Sequence, residues 1–308
     1  MLEALVDRVH GWLRATPIVR LAAPTLAAAW HATDRSHALY ETRRRSWQVR
    51  HGRRPRFPLR VGFTPEAPRY FHAVYLLCER LNVDIVPVGN ADVVFHWADV
   101  TVRVEPRDLD PMAINARVRD ISKRHVSEVH AQVFGYDLQP DPDATEYVEK
   151  SDANATHDGR VVDRPSGATG MVVERVIDNR LDDHLVIDYR VSVMDGRIVC
   201  TLQRYRLIGD RFTHDGNVVT LVVDTDSTFD PDEQARLVGM CEAMGVDWAD
   251  LDVLRDRSSG RVYVVDVNPT RGPPHPSHVG PELATYWRLQ EQGFAALLLA
   301  HARPARAP

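Results

Sequence analysis

The chain has 308 residues, of which 44% are hydrophobic and 26% are charged, a composition that excludes a collagen, a coiled coil and a disordered tail protein. Its 38 basic and 43 acidic residues give a net charge of −5, so we expect neither a nucleic-acid nor a membrane partner. The three cysteines lie far apart and the longest apolar runs are too short for a membrane span, which predicts a reduced, cytoplasmic protein.

The amino-terminal third is predicted to contain a helical extension followed by a small α/β subdomain. Residues 1–55 have helical spacing and include a basic run that begins at Arg43. We interpret this run as a solvated surface, because few aromatic residues interleave with its arginines. Residues 56–113 alternate between strand and helix patterns. Three strands are expected there, at 59–64, 83–88 and 92–97. One helix is expected between the first two strands, at 67–82.

The rest of the chain is predicted to form two further subdomains, at 114–178 and 179–308. In the first, a helix-rich segment is expected at 114–136. It precedes two strands, at 144–151 and 171–177, and a polar loop at 152–160 lies between them. In the second, strands and helices fall in separate blocks. Strands are expected at 184–208 and 251–268, and helices at 229–246 and 281–302. The run Asp-Gly-Arg at 195–197 is expected to make a hairpin turn. Because strands and helices segregate, we expect an α+β fold.

Three oxygen-bearing residues near the carboxyl terminus suggest a metal site. Asp266 and Asn268 are two apart in a predicted strand and therefore share a face, and a turn near 257–259 places Asp252 opposite Asp266. Two carboxylates and an amide oxygen suit Mg²⁺ or Mn²⁺ better than zinc. The alternative is a pair of solvated aspartates at strand ends. Asp266 weakens that alternative, because it follows the apolar run RVYVV, where a charge needs a partner.

The segment GVDWADLDVLRDRSSGRVYVVDVNPT, at 245–270, resembles the carboxy-terminal signature of the ATP-grasp superfamily, which includes glutathione synthetase and D-alanine–D-alanine ligase. That signature is a strand bearing Asp, a turn, and a strand ending in acid-x-Asn-Pro. The resemblance extends in order over about residues 59–300. It implies an ATP-grasp fold, in which two α+β subdomains grip ATP, with Mg²⁺ or Mn²⁺ held by Asp252, Asp266 and Asn268.

The same resemblance implies a set of nucleotide contacts. Lys123 and Lys150 correspond to phosphate-binding lysines, and Glu174 and the backbone near Val176 correspond to the strand that brackets adenine. Further candidates are His157 in the phosphate-covering loop and, at the ribose, Asp182 or Asp183. The sequence departs from the family where Asp266 replaces the common Glu, and where the phosphate-covering loop 152–160 has a single glycine.

The resemblance also implies a reaction, in which ATP phosphorylates a carboxylate and an amine then displaces the phosphate. Arg190, Arg204 and Arg206 share a face of the predicted strands, where they could bind the phosphoryl group or a carboxylate bidentately. Arg271 follows the metal motif and could hold a carboxylate of the acceptor. The alternative is that these arginines face solvent.

The implied partners are a small-molecule or peptide carboxylate and an amine. A homodimer is left open. Two other functions are compatible with the same residues: a phosphotransferase that needs no amine, and a nucleotide-binding protein that is not catalytic. Asp266 and the glycine-poor loop motivate the second of these.

Overall fold

The structure is a computed structural model that describes residues 55–103, 110–212, 217–274 and 279–303. Within these ranges the strands form sheets of two, three and five strands. The predicted helical extension, residues 1–55, lies outside the described residues except for Pro55. No helix in the described part of the chain is long and apolar enough to cross a membrane. The three cysteines are free and buried.

A small parallel sheet opens the described chain. Its elements are β1 (Val61–Pro65), α1 (Ala73–Leu81) and β2 (Val93–Trp97). α1 ends where Asn82 adopts a left-handed conformation, with a φ of 59°. The strand predicted at 83–88 is wrong: Ile85 alone bridges to Val61, since Pro87 has no N–H to donate to a ladder.

An antiparallel sheet in the order β4–β3–β5 follows. Its strands and the helix before them are α2 (Lys123–Phe134), β3 (Tyr147–Ser151), β4 (Arg160–Val162) and β5 (Met171–Arg175). The hydroxyl of Ser122 caps the first turn of α2, and Gly135 ends the helix with a φ of 78°. α2 is shorter than the predicted helix-rich segment 114–136, because Ile114 instead bridges to Phe95 in extended conformation.

The largest sheet is antiparallel throughout, in the order β10–β9–β6–β7–β8. Its strands are β6 (Leu185–Met194), β7 (Arg197–Leu207), β8 (Asn217–Val223), β9 (Trp248–Arg255) and β10 (Val262–Asn268). The accompanying helices are α3 (Thr225–Thr228), α4 (Pro231–Ala243) and α5 (Leu283–Ala300). The predicted hairpin turn is confirmed, since Asp195 and Gly196 both have positive φ, 48° and 69°. No element is predicted above for β8 or α3, although NVVTLVV has strand-forming composition.

The two faces of the five-stranded sheet differ in polarity. One face packs against α2 and α4 through a buried cluster that includes Val191, Val193, Leu237, Met240, Leu251 and Val253. Successive residues of a strand point to opposite faces. Burying the odd-numbered positions of β6 and β9 therefore leaves their even-numbered positions on the opposite face, where the charged residues lie.

Aromatic packing joins the small parallel sheet to the end of the large one. The rings of Phe95, Trp248 and Phe294 lie 5.3 to 5.9 Å apart, centre to centre, in a cluster shared by β2, β9 and α5. Beyond the strands, the hydroxyl of Thr270 donates to Asp99 at 2.9 Å. The carboxyl end of β2 therefore lies beside the segment that leaves β10.

Candidate functional site

An aspartate pair and an arginine are aligned on the polar face of the five-stranded sheet. Asp252 of β9 lies directly opposite Asp266 of β10 on one side and opposite Arg190 of β6 on the other. Residues opposite each other in antiparallel strands project to the same side, so the three side chains share a face. Asn268 projects with Asp266, because it follows two residues later. The register predicted for Asp252 and Asp266 is confirmed.

A β-bulge at Val265 decides the direction of Asp266. The register shifts between Val264 and Asp266, so that Val264 and Val267 both pack in the core although they are three residues apart. Without the extra residue, Asp266 would share the buried face of Val264. The bulge turns the carboxylate onto the polar face, and the carbonyl of Val265 accepts a hydrogen bond from Lys150 at 3.4 Å.

Two arginines hold Asp252. Arg190 donates to Oδ1 at 3.0 Å and to Oδ2 at 3.3 Å, and Arg204 of β7 donates to Oδ1 at 3.0 Å. Burial alone would raise the pKa of Asp252, but the two guanidinium groups outweigh burial and hold the pKa below its usual range. Burial would lower the pKa of Arg190, and Asp252 together with Asp250 raises it instead. The cluster therefore remains ionised at neutral pH.

A second carboxylate, the buried Asp188, extends this network along the same face. It lies opposite Arg204, 3.7 Å from the guanidinium, and accepts hydrogen bonds from Arg206 at 3.3 Å and from Asn179 at 3.0 Å. Burial raises the pKa of Asp188 against the pull of both arginines. Arg190, Arg204 and Arg206 share a face, as predicted, and aspartates of the sheet bind all three.

Lys123 reaches the edge strand β10 from the first turn of α2. Its ammonium group contacts Oδ1 of Asp266 and donates to Oδ1 of Asn154, in the loop after β3, at 3.4 Å. The backbone N–H of Asn154 donates to Thr101 at 2.9 Å. Three separate parts of the fold therefore meet at Lys123, which is the position predicted for a phosphate-binding lysine.

Lys150 lies on the three-stranded sheet and contacts Glu174. Val148 is opposite Glu174 in the β3–β5 register, so Lys150, two residues further on, is a diagonal neighbour on the same face. Its Nζ is 2.7 Å from Oε2 of Glu174, and the two side chains are 13% and 4% exposed. Because Lys150 also reaches the carbonyl of Val265, the two sheets meet at the bulge beside Asp266.

Lys123 and Lys150 are the only lysines among the 308 residues, whereas the chain contains 36 arginines. The composition alone therefore singles out these two positions. This signal is readable from the sequence alone.

Arg271 is buried, although the sequence predicts that it faces a substrate. Its side chain is 1% exposed and its Nε lies 3.0 Å from Oδ1 of Asp250. Its two terminal nitrogens contact Gln290 and, at 3.0 Å, the hydroxyl of Tyr286, both on α5. Ser192 donates to the same Asp250 at 2.6 Å. Arg271 therefore ties the chain after β10 to α5, and a substrate could not reach its guanidinium without displacing these groups.

The remaining predicted nucleotide contacts lie in loops. His157 is exposed between β3 and β4 with a φ of 50°, and Val176 directly follows β5. Asp182 accepts hydrogen bonds from two backbone N–H groups of its own turn, at 2.8 and 2.9 Å, and Asp183 is exposed beside it. The nucleotide-binding roles of His157, Val176, Asp182 and Asp183 stay predictions.

Sequence reasoning missed several residues that support the site. Glu149 of β3 is buried, and hydrogen bonds from Ser166 and Arg160 lower its pKa to about 2. Asp250 and Asp188 support the arginines. The alternate spacing Asp250-x-Asp252 and Asp188-x-Arg190 was an available signal, since it places each pair on one strand face.

The polar face of the five-stranded sheet offers oxygen donors for a magnesium ion. Within the described part of the chain, no three or more histidine, cysteine, aspartate or glutamate side chains are grouped as metal ligands. Mg²⁺ commonly takes one or two carboxylates and completes its shell with water and phosphate oxygens. Asp266 and Asn268 fit that requirement, because they offer hard oxygens on one face beside Lys123. Asp252 differs from its predicted role, since Arg190 occupies both of its oxygens.

Comparison of the sequence with protein-family models and with curated proteins gave no match. Solved structures do match. D-alanine–D-alanine ligase from Bacillus anthracis aligns at 13% identity over 79% of this chain and 98% of its own, with a TM-score of 0.50. Its complex with ATP aligns at 12% identity over the same shares, with a TM-score of 0.48. The ATP-grasp ligase PsnB, complexed with minimal precursor, aligns at 13% identity over 58% of this chain, with a TM-score of 0.36.

This chain spans about half of PsnB, since 52% of that protein is covered. The match to the Bacillus anthracis ligase covers nearly all of that protein and therefore defines the fold. The chain has an ATP-grasp fold of the α+β class. The resemblance stated from the sequence is confirmed at the level of the fold.

Proposed function

We propose that this chain is an ATP-dependent ligase, which activates a carboxylate as an acyl phosphate and joins it to an amine, releasing ADP and phosphate. One observation carries the proposal. The chain's only two lysines meet Asp266 and Glu174 where the two antiparallel sheets of an ATP-grasp fold approach each other. A lysine ammonium is a compact point charge that binds phosphate, whereas every other basic position in this chain is arginine.

Each group in the cluster has an assigned role. Lys123 and Lys150 neutralise phosphate oxygens of ATP. Arg190 and Arg204, oriented by Asp252, bind the phosphoryl group in transfer or the carboxylate that accepts it. Phosphoryl transfer depends mainly on positioning and on charge stabilisation. Guanidinium groups that Asp188 and Asp252 already hold in place lose little further freedom when a substrate binds.

The nucleotide and its metal complete the assignment. Asp266 and Asn268 would hold Mg²⁺, which neutralises phosphate charge when it is bound. Glu174 and the backbone near Val176 would bracket adenine, with Asp182 or Asp183 at the ribose and His157 in the loop over the phosphates. Of these, Glu174 has the strongest support, because it is buried against Lys150.

The substrates are a carboxylate and an amine, supplied by small molecules or by a peptide. D-alanine–D-alanine ligase, which aligns over 98% of its own length, supports this class of reaction. Arg271 is a structural residue in this assignment, because it is buried against α5.

MgATP binding to wild type and to Asp266→Ala, measured by calorimetry, tests the proposal. We expect magnesium-dependent binding that the substitution weakens, and ADP release in wild type when carboxylates and amines are supplied together. Asp143→Ala is the matched control, since Asp143 is an exposed aspartate in a turn. Equal MgATP binding by wild type and Asp266→Ala would overturn the assignment of the site.

A second candidate is a nucleotide-binding protein that does not turn over ATP. Asp252 favours it, because both oxygens of this predicted metal ligand already bind arginine. The two candidates differ in ADP release, which this second one lacks although it binds MgATP. A phosphotransferase would differ from both by leaving a stable phosphorylated product without an amine.

A further inference from the structure

Two exposed aromatic side chains, Tyr70 and Phe71, lie side by side in the turn after β1. They are 60% and 46% exposed, and they are the only aromatic residues among the large hydrophobic side chains exposed in the described part of the chain. Their rings pack edge to face with centres 5.5 Å apart. Exposing two neighbouring rings forgoes the burial that aromatic side chains normally contribute, which indicates a ligand-binding role.

The turn that carries the two rings is fixed in place. The backbone N–H of Arg69 donates to Nδ1 of His72 at 2.8 Å, and the N–H of His72 donates to the carbonyl of Arg69 at 3.0 Å. The imidazole of His72 is buried, 4.5 Å from the ring of Phe71 and 5.1 Å from that of Trp97, centre to centre. An aromatic surface anchored in this way is ordered before a ligand arrives, which lowers the entropy cost of binding.

The aromatic turn also lies beside the proposed active site. It follows the carboxyl end of β1, and Trp97 ends the parallel strand β2, so the rings occupy the edge at which open α/β sheets bind ligands. The backbone N–H of Ala73 donates to the carbonyl of Arg271 at 3.0 Å. Arg271 is three residues after Asn268, a chain length of at most ~11 Å.

The size of the exposed surface decides between a small ligand and a protein. A buried aromatic side chain contributes roughly 150–250 Å², whereas a specific protein interface needs about 800 Å² from each partner. Tyr70 and Phe71, each about half exposed, offer far less than that area. They match one apolar group of a small molecule.

From these observations we infer that Tyr70 and Phe71 form the side-chain subsite of one substrate, and that this substrate carries a planar apolar ring. The inference rests on the proposed ligase function and names the substrate class for that site. The ring of the substrate packs on Tyr70 and Phe71, and its carboxylate or amine extends toward the segment after β10. The subsite determines specificity and takes no part in the chemistry.

The test measures binding to the full chain saturated with MgADP. Calorimetry compares phenylacetate with acetate and benzylamine with methylamine, so that the two arms separate a carboxylate substrate from an amine substrate. We expect one ring-bearing compound to bind about tenfold more tightly than its ringless counterpart, from two aromatic contacts of typical strength. Tyr70→Ala/Phe71→Ala should remove that advantage, and Leu299→Ala, an equally exposed apolar residue on α5, should retain it.

Three outcomes would overturn the inference. The first is that wild type binds ring-bearing and ringless compounds equally, and the second is that the double variant keeps the preference. The third is a wild-type dimer in sedimentation that the double variant dissociates, in which case the rings belong to an interface between two copies. MgADP binding is measured first in every variant, so a failure of the nucleotide site is seen separately from a failure of the subsite.

Discussion

Lys123 and Asp266 are 143 residues apart in the sequence, and the ammonium group of the lysine contacts Oδ1 of the aspartate. The lysine comes from the first turn of α2 and the aspartate from the edge strand β10. The two side chains are 11% and 21% exposed. A cation of the protein therefore already neutralises the carboxylate proposed as the magnesium ligand. In the proposed function, ATP phosphates would draw the ammonium group away and leave Asp266 to the metal.

Replacing Lys123 with methionine tests this competition. Lys123→Met should raise the affinity for Mg²⁺ in the absence of nucleotide by about tenfold, since a unit charge within contact distance of the metal ligand is worth roughly 1–4 kcal/mol. The same change should weaken MgATP binding. Calorimetric titration of Mg²⁺ alone into both proteins measures the effect. Arg124→Met, which removes an exposed charge one residue away, should leave Mg²⁺ binding unchanged. Equal Mg²⁺ affinities in wild type and Lys123→Met would refute the competition.

Lys150 should not be replaceable by arginine. Its Nζ fits between the carboxylate of Glu174, at 2.7 Å, and the carbonyl of Val265, at 3.4 Å. A planar guanidinium group is larger and cannot take the same position. Lys150→Arg should therefore lower MgATP affinity by about tenfold although the charge is kept, a loss of about 1.4 kcal/mol.

The control for this substitution is the reverse exchange at an exposed position, Arg288→Lys. It should alter neither nucleotide binding nor the melting temperature. If Lys150→Arg binds MgATP as tightly as wild type does, any positive charge is sufficient at this position. The choice of lysine over arginine would then not indicate a phosphate site.

The sequence predicts the Asp252–Asp266 pairing because a hairpin has local geometry, and a turn of known length sets the register. The bulge at Val265 is harder to predict. Its trace in the sequence is two consecutive valines before Asp266, which break the alternation of the strand. Arg271 could not be placed from sequence, because its partners Asp250 and Gln290 come from β9 and α5, and only the packed fold brings them to it.

Asp252 is predicted to stabilise the fold as well as the site. Asp252→Asn leaves Arg204, which is buried, and Arg190, which is 22% exposed, without their principal anion. Breaking a buried ion pair costs about 3–5 kcal/mol. We expect the lower end, roughly 3 kcal/mol, because Arg190 remains 3.9 Å from Asp250 and Arg204 remains 3.7 Å from Asp188. Urea unfolding measures the loss, with Asp143→Asn as the exposed control. A loss no greater than that of the control would show that the arginines need no anion here.

His130 should make the stability of the protein depend on pH. Its imidazole is fully buried, stacked against Phe134 and Tyr263, and burial lowers its pKa to about 4. The unfolded chain binds a proton near the ordinary histidine pKa of about 6.5, whereas the folded chain stays neutral. The contribution of His130 is therefore fully present above that value and is lost as the pH falls toward about 4.

The expected size follows from the two pKa values. Wild type should lose about 2 kcal/mol of unfolding free energy through this group between about pH 7.5 and about pH 5. His130→Phe keeps an aromatic ring in the cluster and removes the titration, so its stability should fall by that much less over the same interval. Urea unfolding of both proteins at the two pH values gives the difference. If both proteins lose the same unfolding free energy between the two pH values, His130 can be protonated in the folded protein. Burial would then not lower its pKa.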